Sequence, residues 1–297
     1  MIESGASPVP AALHSIDTGV RPAHSGAIEK RLRSHSPVSL FGILHSRSAS
    51  EWSSTMIPGP WMTTSDGSVR PGTLAVLADI GISMPALVSR TDLAVATVTT
   101  GLWMAFVPDV DLFDGPMAVA AELIYSDGTT TAQTVGRLLT SSGDIAAAVQ
   151  LTTHLMPLPA GMNSLDESLP LLADPDLTLD LILGSIPRRT TDGAELTVVV
   201  EPWLASPRGT MHGGIIAAIV EYVAAHSGTG SPTEWAVDSL GVHYLRPTLL
   251  GDIVTVKAVV VKEGKNLAFV RVEAIGSGQQ LLWTGECTFR TGGAVVG

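Results

Sequence analysis

The chain of 297 residues has little cysteine, few aromatic residues and few cations. Its single cysteine, Cys287, excludes a disulfide within the chain and fits a reducing compartment, and the strand-like pattern around it favours a packed, unreactive thiol. Lysine and arginine number 17 against 28 acidic residues, and the formal net charge is −11. Because no basic stripe interleaved with aromatic residues occurs, we expect no nucleic-acid partner.

Long apolar runs and recognised cofactor motifs are also scarce. We expect no apolar run to reach the roughly 18–20 residues of a membrane span, and residues 1–12 lack the basic and apolar parts of a secretory signal. These absences predict a cytoplasmic protein with no membrane partner. The eight histidines show no metal-ligand spacing, and neither a Gly-x-Ser-x-Gly elbow nor a dinucleotide fingerprint occurs. We therefore expect no metal and no cofactor.

What the chain does contain is a His-Gly-Gly turn that leads into an apolar helix. His212, Gly213 and Gly214 precede an apolar run, and Glu221 lies nine residues after the histidine. Glycines let the backbone approach a ligand, and the unpaired N–H groups of a helix start can polarise a carbonyl. A carboxylate so deep in an apolar helix is costly to bury unless a neighbouring group uses it. Together these features predict an acyl-transfer site.

The chain also repeats itself at a spacing of 142 residues. Four pairs share this spacing: Trp61 and Trp203, Gly67 and Gly209, Gly72 and Gly214, and Asp79 and Glu221. Each copy combines one apolar helix with half-buried strands, so we predict an α+β fold in which an antiparallel sheet wraps a central helix. The predicted organisation is a flexible N-terminal extension (1–48), a first domain (49–157), a linker (158–189) and a second domain (190–292).

The second copy continues with the sequence Val-His-Tyr-Leu-Arg-Pro-Thr-Leu-Leu-Gly-Asp at Val242–Asp252. With the His-Gly-Gly turn and the helical carboxylate, this segment resembles the hotdog-fold acyl-CoA thioesterases, above all the phenylacetyl-CoA and 4-hydroxybenzoyl-CoA thioesterase type. The resemblance implies two tandem hotdog domains, a double hotdog, that form an internal pseudo-dimer and hydrolyse an acyl-CoA at their interface. Coenzyme A would enter only as part of the substrate, and two chains could associate as a homodimer.

The same resemblance implies a role for each residue that matches the family motif. Glu221 would act as nucleophile or as base for water, the Gly213 N–H would polarise the thioester carbonyl, and His212 would shape the turn and contact the acyl group. Ser239 would assist with its hydroxyl. The implied substrate-binding residues of this copy are Ser206, Gly214, Asp238 and Arg246. The serine at 206 is a departure, because related enzymes carry an asparagine or glutamine there.

The first copy departs further from the motif. Asp79 keeps the carboxylate position, but Arg70 replaces His212 and Pro71 replaces Gly213. Proline has no backbone N–H, so the polarising donor is missing from this copy.

We therefore predict one competent site per chain, the site of Glu221. Asp79 would border the substrate as a relic or structural residue. The first copy would contribute Thr99 and Thr100 from its interface strand, and Arg70 would bind a phosphate of the ligand.

Two other functions stay open. The sequence Arg70–Leu74 resembles the Pro-Gly-x-Leu segment of hotdog dehydratases, which favours an enoyl-CoA hydratase or acyl-thioester dehydratase. Those enzymes place a glutamate three residues after that leucine, where this chain has Leu77. A non-catalytic acyl-CoA-binding module is the other alternative, and release of free thiol would separate it from an enzyme.

Overall fold

The computed structural model describes residues 26–33, 35–47, 52–89, 95–157, 176–228 and 235–291. The helices are α1 (Gly26–Leu32), α2 (Pro37–Leu40), α3 (Leu74–Val88), α4 (Leu179–Leu183) and α5 (Gly213–Ala225). The strands are β1 (Ile43–Arg47), β2 (Trp52–Met56), β3 (Val95–Phe106), β4 (Met117–Ser126), β5 (Thr131–Leu139), β6 (Ile145–Pro157), β7 (Arg188–Arg189), β8 (Gly193–Val199), β9 (Trp235–Tyr244), β10 (Ile253–Glu263), β11 (Leu267–Gly276) and β12 (Leu281–Thr291). Single turns of 3₁₀ helix lie at Pro60–Met62, Pro71–Thr73 and Pro202–Leu204.

All twelve described strands belong to one antiparallel sheet, in the order β1-β2-β4-β5-β6-β3-β9-β12-β11-β10-β8-β7. β3 and β9 pair at its centre, from Gly101 with His243 to Ala105 with Ser239. On the two sides of this pair the strand order is the same, β2-β4-β5-β6-β3 and β8-β10-β11-β12-β9. One half of the sheet packs on α3 and the other on α5, and the two helices pack on each other. The fold is thus an antiparallel sheet around central helices, as the α+β prediction expects, and it is mainly sheet.

The strands follow the alternation of the sequence. In β10, Val254, Val256 and Ala258 are buried, whereas Lys257 between them is exposed, because successive side chains of a strand point to opposite faces. β10 and β11 are joined by a tight turn in which the Gly264 N–H donates to the Leu267 carbonyl at 2.8 Å. β10 and β11 therefore form a hairpin.

The single cysteine lies in the core, as expected. Cys287 is buried on β12, where it pairs with Leu240 of β9 and Val270 of β11. Burial, with a smaller contribution from the carboxylates of Glu221 and Glu286, raises the pKa of the thiol well above its usual value. The thiol therefore stays protonated and unreactive.

The two long helices are buried because they are apolar on nearly every side. In α5 every residue from Gly214 to Ala225 is buried. A Cβ atom on Gly214 would lie 2.4 Å from the carbonyl oxygen of Ala75, so the close approach of α5 to α3 requires glycine. The expectation that no apolar run is long enough for a membrane span is wrong: Pro71–Val88 has 18 residues with a mean hydropathy of 1.5. This segment is the core helix of the first half, and 67% of it is buried inside the protein.

The N-terminal segment differs from the flexible extension expected there. Residues 26–47 contain α1, α2 and β1, and β1 pairs with β2 along its length. Leu32, Phe41 and Ile43 are buried in the core, and this apolar burial is the physical reason that the segment folds onto the sheet. Residues 1–25 of the predicted extension lie outside the described residues.

The predicted linker is also partly folded. Its residues 176–189 form α4 and β7, and the buried Trp203 donates its Nε1–H to the carbonyl of Ile182 at 3.0 Å. Asp180 of α4 accepts hydrogen bonds from the backbone and hydroxyl of Ser65, so the segment bridges the two halves. Residues 158–175 lie outside the described residues.

Candidate active site

A carboxylate from the first half meets the His-Gly-Gly turn of the second half. Asp79 projects from α3 to the start of α5, where the Gly214 N–H donates to its Oδ2 at 3.2 Å. The hydroxyl of Thr99 on β3 donates to its other oxygen, Oδ1. Nδ1 of His212 lies 3.4 Å from Oδ2 of Asp79. The structure therefore brings four sequence-predicted residues together, two from each half.

His212 is the N-cap of α5. Its backbone is extended, and its Nδ1 accepts a hydrogen bond from the Gly214 N–H at 3.1 Å. Burial, together with the Arg208 cation, lowers the pKa of His212, and the Asp79 carboxylate opposes this shift. The imidazole is therefore neutral near pH 7, with its proton on Nε2, because Nδ1 acts as an acceptor.

Gly213 supplies the backbone N–H at the first turn of α5. Its carbonyl accepts a hydrogen bond from the hydroxyl of Tyr244 on β9 at 2.8 Å. No acceptor for its N–H exists among the described residues, as is usual for the first N–H groups of a helix. A Cβ atom at this position would lie 2.8 Å from Oδ2 of Asp79, so only glycine leaves room for the carboxylate. The site thus holds a free amide donor beside a carboxylate.

Glu221 does not belong to this site, and the predicted grouping of Glu221 with Gly213 and His212 is wrong. The physical reason is the geometry of the helix: eight residues of α-helix span about 12 Å, so Glu221 cannot reach the start of its own helix. Its Oε1 lies 3.6 Å from Nη1 of Arg70, and both side chains are buried. A Cβ atom on Gly72 would lie 2.6 Å from the Cβ of Glu221. Each helix thus places its carboxylate at the start of the other helix.

The second half-site, defined as Glu221 with Arg70, Pro71 and Gly72, differs in charge from the first. Burial raises the pKa of Glu221 to about 6, although the Arg70 guanidinium and the Gly72 N–H both oppose the shift. Arg70 is buried and forms an ion pair with Glu221, so its guanidinium is not accessible to a phosphate of the ligand. The predicted role of Arg70 as a phosphate ligand is wrong. Pro71 lacks the N–H that Gly213 provides in the other site.

Comparison with known proteins agrees with this geometry. Residues 208–282, which include the His-Gly-Gly turn and α5, match the family model described as Thioesterase superfamily. The structure is similar to that of a conserved protein with a hot dog fold from Alicyclobacillus acidocaldarius, with a TM-score of 0.56, 13% identity, and coverage of 88% of this chain and 99% of that chain. The chain has the fold of the hotdog thioesterases.

Two further solved structures are similar to this chain in fold. The TesB protein of Mycobacterium avium subspecies paratuberculosis has a TM-score of 0.57 and 11% identity, with 86% of this chain and 98% of that chain covered. The 12:0-ACP thioesterase of Umbellularia californica has a TM-score of 0.55 and 11% identity, with 81% of this chain and 94% of that chain covered. No curated protein matches the sequence.

The other residues predicted for the site form their hydrogen bonds and ion pairs with groups other than the two carboxylates. Thr100 donates to the carbonyl of Thr152, and Arg246 donates to the carbonyl of Leu281 at 2.6 Å. Asp238 forms an ion pair with Arg290 at 3.5 Å. Ser206 bonds within its own turn, and Ser239 lies on β9 opposite Ala105. None of these five residues forms a hydrogen bond or an ion pair with Asp79 or Glu221 within the described parts of the chain.

Two further residues near the Asp79 site, Arg208 and Tyr244, were not predicted from the sequence. Arg208 donates to the carbonyl of Thr97 at 2.7 Å and so ties the turn before α5 to β3. Tyr244, which orients Gly213, is half-buried, and the burial of its hydroxyl raises the pKa of that group well above the usual value. Tyr244 stands inside the Val242–Asp252 segment that carries the family resemblance, so this segment contained a usable signal. Nothing in the pattern around Arg208 separates it from a surface cation.

Three kinds of group meet at the Asp79 site: a carboxylate, an imidazole and a backbone amide. Asp79 can accept a proton from water. The Gly213 N–H can donate to an oxygen that becomes negative. Across the described residues, no cluster of three or more His, Cys, Asp or Glu side chains could hold a metal ion.

Proposed function

We propose that the protein hydrolyses acyl-CoA thioesters at the site formed by Asp79 and the turn His212–Gly214. The observation that carries the proposal is that Asp79 of the first half lies against the start of α5 in the second half, where the Gly214 N–H donates to it and the Gly213 N–H has no acceptor among the described residues. Neither half contains both groups at one place, so the active site exists only when the halves pair. The equal strand order of the halves supports two tandem hotdog domains in one chain.

The proposed chemistry is hydrolysis assisted by a general base. Asp79 takes a proton from water as the water oxygen attacks the thioester carbonyl, whose oxygen becomes an oxyanion. The Gly213 N–H donates to this oxyanion, and a donor of this kind contributes about 3 kcal/mol to the transition state. Collapse of the intermediate breaks the C–S bond, which releases the acid and the thiolate of coenzyme A, and the thiolate takes up the proton.

Thr99 and Gly214 hold the base in place. Each donates to one oxygen of Asp79, so the two hydrogen bonds together restrain rotation of the carboxylate. His212 fixes the turn through its hydrogen bond with the Gly214 N–H. Because His212 is neutral, it leaves Asp79 without a cation at hydrogen-bonding distance and so preserves it as a base.

The thiol carrier is proposed to be coenzyme A, with an acyl carrier protein as the competing source of the same thioester. The solved relative from Umbellularia californica is a 12:0-ACP thioesterase, which makes this comparison necessary. Assays with matched acyl groups on both carriers separate the two sources.

The experiment that tests the proposal is thiol release from a panel of acyl-CoAs by wild type and two variants. Asp79→Asn is expected to lower kcat at least about 100-fold, because the general base is lost. The matched variant Arg70→Met with Glu221→Leu removes the other buried carboxylate together with its partner, and it is expected to keep the wild-type kcat. If Asp79→Asn keeps its kcat and the double variant loses it, Glu221 is the catalytic carboxylate instead. Binding of acyl-CoA without thiol release would favour the non-catalytic binding module.

A further inference from the structure

A cleft lies beside Glu221, at the half-site that lacks the His-Gly-Gly turn. It has a volume of about 530 Å³, within the range of small-molecule sites. Most of its lining is apolar, from the 3₁₀ turn before α3, the loop after β3 and the start of β9. This cleft and the Asp79 site are different places: Thr99, which contacts Asp79, and Phe106, which lines the cleft, are seven residues and about 23 Å apart along β3.

Glu221 lines this cleft, and one of its two carboxylate oxygens lacks a partner. Oε2 of Glu221 is buried and meets no donor at hydrogen-bonding geometry among the described residues. Its other oxygen faces Arg70 at 3.6 Å. A buried carboxylate oxygen without a donor costs free energy, which a ligand that donates a hydrogen bond would recover.

The reason for the missing donor can be read from the strand registers. The pairing of β3 with β6 skips Thr100, and the pairing of β9 with β12 skips Asp238. The residue just before each skipped position is therefore equivalent in the two halves: Thr99 in β3 and Val237 in β9. Thr99 donates to Asp79, whereas Val237 has no hydroxyl and lines the cleft.

The mouth of the cleft selects against anions. Asp109 and Asp111 line it together with Glu221, and the single lining cation, Arg290, is already paired with Asp238. The phosphates of coenzyme A and an ionised fatty acid would be repelled there. Three apolar side chains, Val69, Val107 and Phe113, are each more than two-fifths exposed at the cleft, and such a rim is typical of a site for an apolar ligand.

We propose that this cleft is a second ligand site, separate from the thioester site, for an uncharged amphiphile whose hydroxyl donates to Oε2 of Glu221. A medium-chain alcohol and the protonated form of a fatty acid share this chemistry. The apolar chain would lie among Val69, Phe106 and Trp235, and the hydroxyl would take the position that the Thr99 hydroxyl has in the other half. The inference does not depend on hydrolysis at Asp79.

The test is calorimetric titration of the full chain with 1-decanol, with decanoic acid at pH 8 and pH 5, and with decanoyl-CoA. The protein is expected to bind 1-decanol at pH 8, where Glu221 with its pKa of about 6 is ionised, and to bind decanoic acid more tightly at pH 5 than at pH 8. Decanoate at pH 8 and decanoyl-CoA are expected to bind at this site at least tenfold more weakly than 1-decanol. No binding of 1-decanol, or equal binding of decanoate at pH 8, overturns the proposal.

Variants locate the binding and test the head group separately. Val69→Trp fills the mouth and is expected to abolish binding of 1-decanol, whereas Val261→Trp, at an exposed position of β10, is the matched control that keeps it. Val237→Thr gives Glu221 a donor from the protein and is expected to weaken 1-decanol binding at least about tenfold, because a hydrogen bond to a charged group is strong. If Val69→Trp and Val237→Thr both bind 1-decanol with unchanged affinity, the ligand binds elsewhere and the inference is refuted. Thermal melts show whether each variant is folded.

Discussion

Gly213→Ala is the sharpest single test of the proposed active site. The added Cβ would lie 2.8 Å from Oδ2 of Asp79 and 3.2 Å from its Cγ, whereas ordinary contact begins near 3.4 Å. The carboxylate must therefore move by roughly half an ångström, away from the Gly214 N–H that holds it at 3.2 Å. Such a shift separates the base from the free amide of residue 213, so it affects both groups of the proposed mechanism.

The expected loss in kcat for Gly213→Ala is about 100- to 1,000-fold, the scale measured when one oxyanion donor is removed, with little change in KM. Folding should not suffer to the same degree, because alanine favours helix over glycine by up to about 1 kcal/mol. The assay is thiol release followed with a chromogenic thiol reagent, alongside a thermal melt by circular dichroism.

Gly72→Ala is the matched control, because it adds the same methyl at the start of the other helix. Its Cβ would lie 2.6 Å from the Cβ of Glu221, inside the core, so this variant should lose stability and keep its kcat once folded. If Gly213→Ala keeps wild-type kcat, or if Gly72→Ala loses as much as Gly213→Ala, the assignment of the site to Asp79 is refuted.

Two further predictions concern the buried pair of Arg70 and Glu221. Arg70→Met alone should destabilise the fold by about 3–5 kcal/mol, because it leaves Glu221 buried without its partner. The double variant Arg70→Met with Glu221→Leu should be about as stable as wild type. Urea unfolding of both variants measures the difference, and equal losses of stability would contradict the reasoning. The pH dependence of stability should also differ between wild type and the double variant. Because burial raises the folded-state pKa of Glu221 from 4.5 to about 6, the folded state binds more protons than the unfolded state in this window, and wild type should gain about 2 kcal/mol relative to the double variant as the pH falls from 7 to 4. Urea midpoints across that range test the sign, and a gain towards higher pH would show that Glu221 is not buried as described.

Much of the fold could be predicted from the sequence because local pattern and packing agree. The apolar run after Gly214 predicts a buried helix, and the alternation in β10 predicts a half-buried strand. The apolar residues around Phe41 bury themselves against the sheet, but their pattern is too short to separate from that of an extension.

The composition of the candidate active site was harder to predict, although the sequence does exclude one grouping of residues. The rise of an α-helix puts Glu221 about 12 Å from Gly213, so the sequence alone excludes their direct cooperation and points to the carboxylate of the other helix. The exchange of partners between α3 and α5 is a property of tertiary packing. The equivalence of Thr99 with Val237 depends on strand registers, which no local pattern contains.

The central pairing of β3 with β9 lies between two halves that belong to the same polypeptide. In a homodimer built on such a pairing, every substitution appears twice and changes both sites alike. Here a substitution changes one site only, and the tether keeps the halves together at any dilution. Because of the covalent link, one half-site can carry a proline in place of the amide donor and a buried arginine, while the other keeps the Asp79 carboxylate beside the His-Gly-Gly turn.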